Sequence, residues 1–88
     1  MKLKYTSKWE PTDYYNGHGV RGDEKRTFTV AGVEGWMKVT ESGGRWNHMV
    51  QVDGEIVASN RSWGEGRKRD AMKNSTDGLK IWIAKNGV

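Results

Sequence analysis

Residues 45–59 read RWNHMVQVDGEIVAS, and the fold turns on how this stretch pairs with itself. Trp46, His48, Val50 and Val52 recur at every second position, which places them on one face of an extended strand. Asp53-Gly54 follows directly. A two-residue type I′ turn needs φ > 0 at both central positions, and Asp-Gly is a strong signal for it, so EIVAS returns as the partner strand. Upstream, GWMKVTE over 35–41 forms another strand, ended by the Ser42-Gly43-Gly44 turn. RTFTVA over 26–31 alternates again, with Phe28 and Val30 together. KLKYT over 2–6 does the same with Leu3 and Tyr5. Residues 10–25 contain Pro11, Gly17, Gly19 and Gly22 among polar side chains, and they predict a long flexible loop. Tyr14, Tyr15, His18 and Arg21 on that loop could reach a ligand, and a merely mobile loop is the alternative.

Beyond EIVAS the period changes. Ala71, Met72, Ser75, Leu79 and Trp82/Ile83 recur at three- and four-residue spacing, the signature of an amphipathic helix over about 65–84, ended by Asn86-Gly87. Glu65–Arg69 and Asp70–Lys73 are spaced as helical acid–base pairs. Gly78 weakens the helix by about 1 kcal/mol relative to Ala. Leu79, Ile81 and Ile83 also alternate as a strand would, and one continuous helix is preferred to a helix followed by a further strand. The expectation is a single α+β domain, 1–88: a small antiparallel sheet of three to five strands with one C-terminal helix packed on one face.

Apolar residues are scarce, at 34% of 88 residues and a mean hydropathy of −0.89. Five Trp and three Tyr partly offset this, because each large ring buries roughly 150–250 Å². A core this small favours association, and a homodimer is expected. With no Cys there is neither a disulfide nor a thiolate, and His18 and His48 stand in no ligand spacing, so no metal and no cofactor is expected. No apolar run approaches the roughly 20 residues of a membrane span. A soluble, cytoplasmic protein with no membrane partner follows as the expectation.

Lys and Arg total 15 against 11 acids, with a pI near 9.5. The excess is concentrated in SWGEGRKRDAMKN, residues 62–74, and just before it. There Arg61, Arg67, Lys68, Arg69 and Lys73 are opposed only by Glu65 and Asp70. A helix N-terminus carries partial positive charge and unpaired N–H groups, so it attracts anions and repels cations. Three cations at that position cost stability unless an anion compensates, and local contradictions of this kind mark functional sites. A polyanion is the implied partner. The plain alternative is a solvated basic face.

Residues 36–83 resemble the sheet-plus-helix part of a double-stranded-RNA-binding domain. The residues concerned are WMKVTESGGRWNHMVQVDGEIVASN followed by GEGRKRDAMK, and the most specific element is Gly64-Glu65-Gly66-Arg67-Lys68-Arg69-Asp70-Ala71. The resemblance implies that Lys68 and Arg69 span phosphates across the RNA major groove, reading A-form shape and not base sequence. It covers the strands and C-terminal helix only. Residues 1–34 hold no counterpart of the family's first helix, and Met72 stands where the family's last motif lysine falls, with Lys73 one position later. Arg45 and His48 stand loosely in place of the family's histidine segment. DGEIVAS and GLKIWIAKNG also resemble YegP-type strand–strand–helix domains, which bears on the fold alone.

Trp36, Trp46 and Trp82 sit in periodic elements and are expected in the core, with stacking on bases as the lesser alternative. Trp63 lies in the loop before the basic cluster, where stacking on a base, a dimer contact and capping the core remain open. Catalysis is not expected, since the sequence holds no nucleophile–base signal, no phosphate-loop glycines and no convincing carboxylate pair. The resulting expectation is a non-catalytic protein that binds structured or double-stranded RNA. Its contacts are Arg67, Lys68, Arg69, Lys73, Arg61, Arg45 and Trp63. A chain of this size suits a small phage or mobile-element regulator, or an inhibitor that sequesters RNA. The alternative is a protein-interaction or inhibitor module that uses the sheet and the Trp-rich surface against a protein target.

Overall fold

The computed structural model describes residues 2–12, 22–60 and 64–87. Six strands precede one helix: β1 (Leu3–Tyr5), β2 (Glu10–Pro11), β3 (Glu24–Val30), β4 (Val33–Ser42), β5 (Arg45–Val52), β6 (Glu55–Ser59) and α1 (Lys68–Asn86). All pairings are antiparallel in the order β1-β3-β4-β5-β6, and β2 pairs with β3 beyond the end of β1. The fold is therefore α+β, a sheet five strands wide with its C-terminal helix lying across β4, β5 and β6.

Three tight turns set the register. Asp53 and Gly54 have φ of 52° and 82°, as a type I′ turn requires. Gly43-Gly44 closes β4 to β5 with φ of 60° and 82°. Ala31-Gly32 closes β3 to β4 with φ of 51° and 83°, so an alanine is held in the left-handed region. Both ends of the segment 10–25 lie in strands, with Glu10 opposite Lys25 and Pro11 opposite Glu24. Tyr14, Tyr15, His18 and Arg21 fall outside the described residues.

Strand alternation divides the sheet cleanly. Phe28, Val30, Met37, Val39, Val50 and Val52 are buried beneath the helix, which contributes Ala71, Leu79 and Ile83. Fully burying an aliphatic or aromatic side chain contributes roughly 1.5–3 kcal/mol, so this layer is the main stabilising element. Ser75 shares the buried helix face and satisfies its hydroxyl by donating to Met72 O at 2.7 Å. Trp46 and Trp82 are half-buried, Trp82 packing against the core. Trp36 departs from expectation: Met37 and Val39 take the inner positions, so the pleat turns Trp36 to the open face.

Gly78 has a packing reason. A Cβ there would lie 2.8 Å from Ala58 Cβ, so the glycine lets α1 approach β6 closely. Val50 faces Ala58 and Gln51 faces Ile56, which makes Val57 the extra residue of a bulge in β6. The helix runs unbroken through Leu79, Ile81 and Ile83. It ends at Gly87, whose φ of 66° and N–H bond to Ile83 O form a left-handed cap.

Candidate nucleic-acid interface

The helix starts where the chain folds back onto β5. Glu65 exchanges two backbone hydrogen bonds with Trp46, at 2.7 and 2.8 Å. Gly64 makes that approach possible, since a Cβ there would sit 2.9 Å from Trp46 O. Arg45 Nη2 donates to Gly64 O at 2.7 Å and so joins the start of β5 to the segment entering the helix.

Under this corner lies a polar cluster that the sequence did not reveal. The Glu65 carboxylate bonds His48 Nδ1 at 2.8 Å, accepts from the Asn60 amide, and takes a longer bond from Asn74 Nδ2 at 3.4 Å. His48 and Glu65 are 8% and 12% exposed, so an unmade bond here would leave a buried polar group. Burial pushes the Glu65 carboxyl upward. The hydrogen bonds from Asn60, His48 and Asn74, with the charge of His48, outweigh it and hold the group below its ordinary value. The expected Glu65–Arg69 pair gives way to this cluster because Glu65 precedes the helix and turns inward. These bonds tie the segment entering the helix to β5 and to α1 itself.

Arg67 is the N-cap, with φ −130° and ψ 144° and no side-chain cap. Arg67 and Arg69 are exposed and make no hydrogen bond or ion pair with a described residue. Lys68 behaves differently. Its ammonium pairs with the Glu24 carboxylate of β3 and lies 5.7 Å from the Trp46 ring centroid, beside Gly22. Lys73 bonds Asp77 at 2.8 Å rather than Asp70, a pair exposed enough to contribute little. That hydrogen bond raises the Lys73 ammonium and lowers the Asp77 carboxyl.

The fold thus gathers Arg45, Arg67, Lys68 and Arg69 at one corner, with Lys73 one turn further along α1. Arg61 and Trp63 lie outside the described residues. Glu24 and the Glu65 cluster had no signal in the sequence, because Glu24 meets Lys68 of α1 and Glu65 meets His48 of β5 only once the sheet and helix pack together. Among the described residues there is no group of three His, Cys, Asp or Glu that would hold a metal ion. None of their helices is long and apolar enough to cross a membrane. The chain matches no known protein family, no curated protein and no solved structure.

Proposed function

We propose that this chain is a non-catalytic RNA-binding protein that takes structured or double-stranded RNA at the corner where α1 begins. The observation that carries the reading is the exposure of Arg67 and Arg69 at an uncapped helix N-terminus, neither forming an ion pair with a described residue although Asp70 lies in the same turn. Each is free to reach a phosphate, and the unpaired N–H groups of the first turn favour the same anion. Arg45, fixed on Gly64 O, extends the positive edge. Lys68 joins this surface only if a phosphate displaces Glu24. The resemblance of residues 36–83 to the strands and last helix of a double-stranded-RNA-binding domain supports duplex RNA as the form recognised.

The test is a gel shift with duplex RNA, single-stranded RNA and duplex DNA at two salt concentrations. Duplex RNA binding should weaken steeply with salt, by a slope of about 0.9 for each phosphate neutralised on a duplex. Arg67→Glu with Arg69→Glu should abolish it and leave the circular dichroism spectrum unchanged. Salt-insensitive binding, or none to any nucleic acid at low salt, would sink the reading.

A second reading, a protein-contact module that dimerises, is favoured by β6. This strand ends the sheet, Ile56 is 50% exposed on it, and Ile81 is 57% exposed on the helix above. Unprotected edges of this kind pair with other strands. Light scattering at twice the 10.0 kDa chain mass would support it.

A further inference from the structure

The sheet face turned away from α1 carries a contradiction of its own. Lys25 on β3 and Lys38 on β4 are direct cross-strand partners, so their side chains leave the same face side by side. Like charges in that relation repel and are destabilising. None of the direct neighbours of Lys38 is a carboxylate: Met49 is its partner across β5, and Trp36 and Thr40 flank it along β4. Glu10 stands on the far side of Lys25, yet the Lys25 ammonium turns to the Trp36 ring, 5.3 Å from its centroid. Neither lysine forms an ion pair with a described residue.

Trp36 is the centre of this face. It is half-buried and forms the wall between two open hollows of 760 and 190 Å³. Thr27 and Gln51, its cross-strand partners, line the first, and Met49, 41% exposed, lines the second. Glu34 and Asp53 also line the larger hollow, but a large ring flanked by open space and by two lysines that form no ion pair with a described residue is complementary to alternating bases and phosphates. A duplex hides its base faces within the stack, so the complement is a single strand.

We propose that this open face is a second nucleic-acid surface that takes a single strand, with bases stacked on Trp36 and phosphates held by Lys25 and Lys38. Its proposed contacts, Trp36, Lys25 and Lys38, are none of the cations at the corner where α1 starts, and it does not depend on duplex binding there. Stacking tolerates any base, so affinity for the strand is general and only weakly sensitive to sequence. The Lys25 ammonium, already over the ring, moves to the phosphate as the base takes its place.

The experiment is fluorescence anisotropy of the full chain with a labelled twelve-nucleotide oligouridine across a salt series. Trp36→Ala should weaken binding by about tenfold or more, and Trp36→Phe by less, since Phe keeps a stacking face. Lys25→Ala with Lys38→Ala should flatten the salt slope by about 1.4, that is about 0.7 per phosphate on a single strand. Neither change should move duplex RNA affinity by more than about twofold, because separate sites act independently. If Trp36→Ala fails to fold by circular dichroism, the phenylalanine and lysine variants decide the matter. Three results would overturn the proposal: no oligouridine binding at low salt, binding indifferent to all these variants, or a Trp36→Ala protein whose mass falls in light scattering, which would make the face a self-contact. Oligouridine binding without duplex binding would leave this proposal standing and sink the reading of the helix corner.

Discussion

The two ends of α1 are built on opposite rules. At its C-terminus, Gly87 caps the chain in the left-handed region, and Lys85 lies in the last turn, where the helix dipole favours a cation. At its N-terminus, Arg67 holds the cap position without a side-chain cap, and Lys68 and Arg69 set further cations against the positive end, with Asp70 the one acid of the first turn. One end is stabilised by the helix's own chemistry. The other is held from beneath, by Glu65 anchored to His48, Asn60 and Asn74, and by Lys68 tied to Glu24. That arrangement leaves the solvent side of the helix start free to carry charge the helix itself does not want.

Breaking the anchor should cost more than breaking the cap. Glu65→Ala leaves His48 and Asn60 without their acceptor and should lower stability by about 3 kcal/mol, read by urea denaturation. Gly87→Ala forces a Cβ into the left-handed region and should cost about 1.5 kcal/mol. The reverse order would mean that the helix start is not held from the sheet side.

The anchor also has a pH signature. The folded Glu65 carboxyl lies below the ordinary value of 4.5, despite the opposing push of burial. Its contribution is therefore fully present above that value and is lost as pH falls through the lower, folded one. Glu65→Gln should remove this limb of the acid stability profile while other carboxylates keep theirs. An unchanged profile in the variant would show that the carboxylate bonds contribute nothing as a charge.

Much of the fold was legible because it rests on local chemistry. Asp53-Gly54 announces its turn by composition, and Ala71, Ser75, Leu79 and Ile83 announce a buried helix face by spacing. The Ala31-Gly32 turn was not legible, since alanine is a poor left-handed residue and the sheet imposes that conformation. β2 spans two residues, too few for alternation to be visible. Trp36 misled because a tryptophan in a strand suggests core, while the pleat had already assigned the core to Met37 and Val39. Gly78 reads as a weakness until Ala58 is seen against it.

The candidate site divides in the same way. The cluster Arg67-Lys68-Arg69 was visible as a charge run against the helix dipole, and the structure leaves Arg67 and Arg69 exposed. What the sequence did not hold was the partner of each inward-facing group. Glu24 is 44 positions from Lys68, and His48 is 17 from Glu65, so only the sheet brings them together. Three adjacent cations thus have two different roles, which charge counting alone does not separate.

The finest test of the comparison between the two ends is Arg67→Ser. Arg67 already has the extended backbone of a cap residue, with φ −130° and ψ 144°, and its carbonyl accepts from Asp70 and Ala71 at 3.1 and 3.2 Å. A serine hydroxyl there needs no backbone change to accept an N–H of the first turn, and one cation leaves the positive end of the dipole. The variant should be more stable by about 1 kcal/mol, read in the same urea titration. Duplex RNA affinity should fall in the same protein, with the salt slope reduced by about 0.9 for the lost phosphate contact. Gained stability with lost binding identifies an arginine kept for a ligand at the helix's expense. Gained stability with unchanged binding makes Arg67 an ordinary solvated cation. Lost stability would mean that its aliphatic stem covers part of the corner, and that the N-terminal end is less at odds with its own helix than its charges suggest.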